Sequence, residues 1–261
     1  MSGAILYNFN SIAITILLFV LIIIFNEIGF VIGRFVQNRT DEEIKTLTGA
    51  IQASILGLLA LLLGFTFSMS MQRYDARSLA LIAESNAIGT AILRVQLLPN
   101  QYQSNALQLL DDYVDMRILL GKIDLTQVEE RKKYSEQMTQ LQSEIWSLAV
   151  QAAQEDPRPV TTGTFIVALN EMIDSQGKRT SLLQMHVPEV VLMLLFLVFI
   201  ASGGILGYSS GLSGKRVVAP TVMVSFLISL IVFIIIDLDR PRRGFIQVDQ
   251  SSIISLKNLA D

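Results

Sequence analysis

The chain has 261 residues, 51% of them hydrophobic and only 16% charged, with a mean hydropathy of +0.51. That is too apolar for an ordinary soluble domain and far too apolar for a disordered one, so the chain belongs in a membrane. The net charge of −3, from 20 Lys and Arg against 23 Asp and Glu, supplies no global basic field for gripping nucleic acid. With no Cys and one His, disulfides, thiol nucleophiles and Cys/His zinc sites are excluded. No cofactor is expected, and a metal would have to be held by carboxylates alone.

Crossing the hydrocarbon core takes about 20 mostly apolar residues. Four runs qualify: Ser11 to Gly33, Gly49 to Ser70, Val187 to Tyr208 and Val217 to Ile236. The first has no charged leader and no small-residue cleavage pattern before Arg34, so it is expected to remain in the mature protein. The predicted order is two spans within 1–70, a polar domain over 71–186, two spans within 187–236 and a tail over 237–261.

The middle domain reads as helical. It has no alternating strand pattern and little turn chemistry beyond Leu98-Pro99-Asn100, Gly121 and Asp156-Pro157-Arg158-Pro159. Tyr134, Met138, Leu141, Ile145, Leu148 and Ala152 alternate steps of four and three, an apolar stripe that must pack on other helices. Phe165, Leu169 and Met172 repeat the theme. Nothing breaks the chain between Ser70 and Arg73, so the second span is expected to continue as one helix through Arg94, joining the membrane and polar parts mechanically.

An even number of spans puts both termini on the side of the middle domain. Near the span ends that side carries Arg73, Arg77, Lys178, Arg179, Arg240, Arg242 and Arg243, against Arg34, Arg39, Lys45, Lys215 and Arg216 on the other. The excess favours a cytoplasmic middle domain, whereas the first span alone, with its basic residues after it, favours the reverse.

There is no phosphate-cradling glycine loop, no HExxH pair and no recognisable Ser/His/Asp frame, so no enzyme is expected. His186 stands at a span edge, where it is either a boundary residue or a proton-handling one. Glu27 lies inside the first span beside Asn26. A carboxylate there costs on the order of 2 to 3 kcal/mol unless it faces protein or water, which leaves an ion-path role and a structural bond to a neighbouring helix as its two readings.

Along the second span, Ser54, Gly57, Leu61, Phe65, Ser68 and Gln72 recur every three or four residues, giving one face that is small, then bulky and apolar, then polar. If several copies surrounded an axis, Leu61 and Phe65 would stack as apolar rings that gate by dewetting, with Ser68 and Gln72 in a wet vestibule. The plainer reading is that any spanning helix carries Leu and Phe on every face. Gly29-x-x-x-Gly33 and Gly203-x-x-x-Gly207 suit close helix approach without saying whether the partner lies in the same chain. After the fourth span, Asp237-Leu238-Asp239-Arg240-Pro241-Arg242-Arg243-Gly244 stops the helix and is either an interfacial anchor or a salt-bridged elbow that positions the tail.

Two groups of residues carry a resemblance. Ile55 through Phe65, followed by Arg73-Tyr74-Asp75-Ala76-Arg77, resembles the bacterial bestrophin pattern of an apolar helix ending in Leu-Gly-Phe, then a Tyr-Asp-Arg element. More closely, Gly64-Phe65-Thr66-Phe67-Ser68, Asn86-Ala87-Ile88-Gly89-Thr90-Ala91, Leu93-Arg94, Ala168 through Asp174 and Ile236 through Gly244 resemble the bacterial bestrophin-like membrane family. Departures exist: Arg73 precedes Tyr74-Asp75, and Thr66 stands where bestrophins often place Arg.

The resemblance implies an all-α, bestrophin-like membrane protein with four transmembrane helices and a helical cytoplasmic domain inserted between spans two and three. It implies cytoplasmic termini, residence in the bacterial inner membrane, and a homo-oligomer, a pentamer, that passes inorganic ions through the lipid bilayer. The matching Phe and the residues one and two turns before it form the neck in bestrophins. Carried over, the neck is Phe65 and Leu61, with Gly57 at the third position, where a bulky residue would be expected. Ser68, Gln72 and Asp75 would line the pore mouth, and Glu27 would bias ion charge from behind the lining helix. Two alternatives stay open: a proton-conducting or force-transmitting subunit of a membrane machine using Thr66, Ser68 and Glu27, or a sensor or scaffold whose extracytoplasmic middle domain binds a ligand.

Overall fold

The computed structural model describes residues 9–123 and 127–257. The outer ends of the first predicted segment, 1–8, and of the tail, 258–261, lie outside the described residues. The described residues form helices with no strand: α1 (Ser11–Val36), α2 (Glu42–Arg94), α3 (Asn100–Lys122), α4 (Val128–Glu155), α5 (Thr162–Gln184), α6 (Glu189–Leu212) and α7 (Val218–Leu238), then a helical turn, α8 (Ser251–Ile254). Four helical stretches are long and apolar enough to cross a membrane, within Ser11–Arg39, Glu42–Leu97, Thr162–Leu212 and Val218–Leu238.

Local chemistry sets the ends of these helices. Asn10 caps α1, its side-chain oxygen accepting from the Ile12 N–H at 2.9 Å. Glu42 and Glu43 occupy the first turn of α2, where carboxylates favour the positive end of the helix dipole. Pro99 and Pro188 immediately precede α3 and α6, and Pro241 follows α7. In the α4–α5 loop, Asp156 accepts from Arg158 Nε at 2.7 Å and Thr161 Oγ1 at 2.7 Å, and these bonds hold its carboxyl well below the usual carboxylate range. Gly121 departs from the expected turn: it lies inside the last turn of α3, and the chain leaves the helix only at Ile123. A Cβ on it would stand 3.0 Å from the Gln250 side-chain oxygen, so this glycine makes room for the tail.

The long α2 confirms the expectation that no break follows Ser70. Its 53 residues run about 80 Å at 1.5 Å per residue, contributing residues up to Gln72 to one compact unit and from Arg73 to another.

The first unit comprises residues 1–72 and 186–239. Its core is built by Ile14, Leu18 and Ile22 of α1, Leu59 and Leu63 of α2, Leu192, Leu195 and Phe199 of α6, and Val232, Ile235 and Ile236 of α7. Large apolar side chains also cover its outside, among them Ile16, Leu197 and Phe226, each more than half exposed, as helices apolar all round require a lipid solvent. Here the glycine spacings find their partners in the same chain. A Cβ on Gly203 would stand 2.8 Å from the Ile22 carbonyl oxygen, and one on Gly29, Gly33, Gly207 or Gly211 would overlap the backbone of the facing helix. Two ridges of glycine on α1 and α6 therefore bring backbone against backbone, which supplies dispersion contact where lipid removes the hydrophobic driving force.

The second unit comprises residues 73–185 and 240–261. Its core joins Ile88, Ala91 and Val95 of α2, Leu110 and Tyr113 of α3, Met138, Ile145 and Leu148 of α4, Phe165, Leu169 and Met172 of α5, and Leu256 of the tail. The stripes on α4 and α5 thus face inward, each large apolar side chain contributing on the order of 2 kcal/mol by leaving water. A satellite cluster of Leu81, Val248 and Ile253 fastens the tail, helped by Ser85 Oγ donating to the Ser252 carbonyl at 2.5 Å.

Candidate functional site

The stripe on α2 divides the helix by exposure. Leu59, Leu63, Thr66 and Ser70 are buried in the first unit, whereas Gly57, Leu61, Phe65, Ser68 and Gln72 are exposed, Leu61 by 54% and Phe65 by 64%. The two sets interleave at three- and four-residue steps, so they occupy different faces. Nothing approaches within 4 Å of a Cβ placed on Gly57 or Gly64. The free face ends in a polar pair, Gln72 Nε2 donating to Ser68 Oγ at 3.2 Å. Asp75 is also exposed. Thr66 is absent from this face: it is buried, and its hydroxyl donates to the Leu62 carbonyl at 2.8 Å.

Glu27 is half exposed and forms an ion pair of 3.2 Å with Arg216, from the loop between α6 and α7. The Arg216 guanidinium also lies 4.5 Å from the Phe30 ring centre, a cation–π contact that orients it. Neighbouring Asn26 donates from Nδ2 to the Gly203 carbonyl at 3.1 Å.

At the end of α7 the acidic half of the elbow turns inward. Asp237 and Asp239 are buried, and Asp239 Oδ2 accepts the Val187 N–H at 2.8 Å. His186 Nδ1 lies 3.1 Å from the Asp239 carbonyl oxygen and 3.6 Å from its carboxylate. The segment entering α6 and the one leaving α7 are therefore stitched by one carboxylate.

A second constellation, in the second unit, was not singled out from the sequence. Glu84 of α2 is fully buried. Its Oε1 lies 2.5 Å from Arg117 Nε of α3 and its Oε2 lies 2.7 Å from Arg179 Nη1 of α5. Arg179 Nη2 donates to Gln250 Oε1 at 2.9 Å, so one acid gathers two helices and the tail. Burial pulls the Arg179 guanidinium below its usual range, with Glu84 opposing. Burial also pushes the Tyr113 phenol up to about 12, against the pull of Arg117. A signal for this cluster did exist. Glu84 interrupts the stripe Leu81, Ile88, Ala91 and Val95; Arg117 follows Leu110, Tyr113 and Val114; and Arg179 follows Phe165, Leu169 and Met172. Each charge thus occupies a core position of its own helix. Among the described residues, no three His, Cys, Asp or Glu groups converge as a metal site.

The fold and these features define an all-helical membrane protein. Residues 19–253 match the family model of the bestrophin-like domain, and the chain belongs to that family. A bacterial bestrophin homologue from Klebsiella pneumoniae, in a singly substituted form, superimposes with a TM-score of 0.69 at 17% identity, covering 94% of this chain and 97% of that one. A second substituted form gives 0.66 at 17% identity over 100% and 98% of the two chains, and the structure phased by zinc anomalous scattering gives 0.64 at 16% over 92% and 96%. The shared fold is bestrophin-like. No curated protein matches the chain. The family-like motifs mostly serve packing: Ala87, Ile88, Ala91, Ala168, Leu169 and Met172 are all core residues.

Proposed function

We propose that this protein is a bestrophin-like ion channel assembled as a homopentamer, with α2 lining the pore. The observation that carries the reading is the exposure of Gly57, Leu61 and Phe65 on a spanning helix whose other face is packed inside its own chain. Five copies of that face around an axis make rings of Leu61 and Phe65 narrow and apolar enough to expel water. Gly57 widens the third ring. Below the neck the lining turns polar at Ser68, Gln72 and Asp75, a mouth that receives hydrated ions.

In this reading the polar helical domain and both termini are cytoplasmic, and the protein resides in the bacterial inner membrane. Glu27 sits behind the lining helix, and Arg216 compensates its charge. Removing Arg216 then exposes a ring of carboxylates and favours cations by Coulomb attraction. The support from relatives is the shared fold: proteins described as bestrophin homologues have it.

The test is reconstitution in planar bilayers together with the mass of the purified particle. Ion currents altered by substitution of Leu61 or Phe65, from a particle of five chains, support the reading. Silent bilayers with full incorporation, or a monomeric particle, overturn it.

A further inference from the structure

Charge is sorted by face along α2. At 3.6 residues per turn, Glu43 precedes Leu61 by five full turns and lies on the same line of the helix surface, with Ala50, Ser54 and Gly57 between them, all exposed. Towards the other end Asp75 falls within about 40° of that line and is exposed as well. The bases of the same stretch lie elsewhere. Lys45 and Arg77 stand equally far along the chain from Leu61, in opposite directions, which turns each about 160° away from the line, and Arg73 stands about 120° round. Lys45 is held by Glu42 at 2.8 Å, and Arg77 is buried, donating to the Leu182 and Met185 carbonyls.

Formal charge leaves Glu43 as the remainder at its end of the helix. Arg39 and Asp41, ahead of α2, cancel, and Lys45 cancels Glu42. Among the described residues, neither Glu43 nor Asp75 belongs to an ion pair. Glu43 stands about 9 Å ahead of Gly49, where the apolar span begins, so water reaches it. A fixed charge there acts on a passing ion through its field, which falls with distance and dielectric. Copies of it set round one axis add their potentials, and low-dielectric walls focus the sum. The neck itself carries no sign: apolar rings of Leu61 and Phe65 govern when water and ions pass, and the charged residues of the stripe govern which ions arrive.

We propose that Glu43 and Asp75 make the path along α2 selective for small cations over anions, one ring of carboxylates standing before the neck and one beyond it. This inference rests on the channel reading above and assigns the sign of the ion that the reading leaves open. The carboxylates act by their field and hold no ion in a fixed site.

The experiment reconstitutes the full chain in planar bilayers of phosphatidylcholine under a KCl gradient and reads the ratio of K+ to Cl− permeability from the reversal potential. The parent favours K+ severalfold near about 0.1 M salt, where the Debye length is about 10 Å, and loses most of that preference near about 1 M, where it is about 3 Å. Glu43→Gln and Asp75→Asn each lower the low-salt ratio at least about twofold, and together they bring it close to one. Glu43→Lys moves it towards Cl−. Glu42→Gln combined with Lys45→Gln removes a balanced pair that lies off the stripe and leaves the ratio unchanged. Glu43 and Asp75 are exposed within the chain, so their variants are expected to fold, and the mass of the purified particle checks it. Currents without cation preference, a preference that survives the two substitutions together, or an equal loss from the off-stripe pair overturns this inference while the channel reading stands. Silent bilayers with full incorporation overturn both.

Discussion

Gly207 of α6 faces the Asn26 carbonyl of α1 with no space for a side chain between them. The Asn26 amide meanwhile reaches past it to donate to the Gly203 carbonyl at 3.1 Å. The backbone approach and the polar bond occur within about one helical turn of α6, so Asn26 of α1 with Gly203 and Gly207 of α6 supplies both dispersion contact and register.

Gly207→Ala is therefore expected to force the two helices apart, at about 1–3 kcal/mol, the usual cost of overpacking. The matched control is Gly57→Ala, whose new methyl meets open space and which, by removing a mid-helix glycine, is expected to raise stability by up to about 1 kcal/mol. Unfolding temperatures of the two variants in the same detergent check the contrast.

Phe65→Ala and Leu61→Ala enlarge the proposed neck. Both are expected to raise ion flux severalfold, because a wider, less apolar ring stays wet more of the time. Their side chains are exposed within the chain, so the folded fraction should match that of the parent. Single-channel open probability and the melting curve, measured together, distinguish a pore effect from a folding defect.

Glu84→Ala leaves Arg117 and Arg179 buried without their shared acid. Removing one partner of a buried ion pair destabilises by about 3–5 kcal/mol, so the variant should unfold well below the parent in a thermal scan. An unchanged midpoint would show that the two arginines do not depend on Glu84.

Alkaline pH tests the shift of Tyr113. Folded Tyr113, at about 12 against its ordinary 10.0, keeps a proton that the unfolded chain releases, so its contribution to stability is lost as the pH rises from 10 to 12. Relative to the parent, Tyr113→Phe should gain stability between pH 10 and 12. Denaturant midpoints measured across that range check the sign.

Gln140 lies exposed on α4, with its amide donating to Glu144 at 3.0 Å. With a cytoplasmic helical domain, Gln140→Cys should react with a membrane-impermeant thiol reagent only after the cells are opened. Rapid labelling of intact cells would place the domain outside and favour a sensor.

What could be read along the chain was whatever repeats locally. The uninterrupted α2, the inward stripes of α4 and α5 and the four apolar helices all follow from periodicity and from the placement of proline, because a helix imposes its own 3.6-residue order. The tertiary structure decided which neighbours those faces meet. It paired the two glycine ridges with each other, gave Glu27 the distant Arg216, turned Asp239 toward Val187, and brought Glu84, Arg117 and Arg179 together from three helices. No spacing encodes such contacts: each partner lies many turns away, and only folding brings their charges within a few ångströms in a medium where they cannot be ignored.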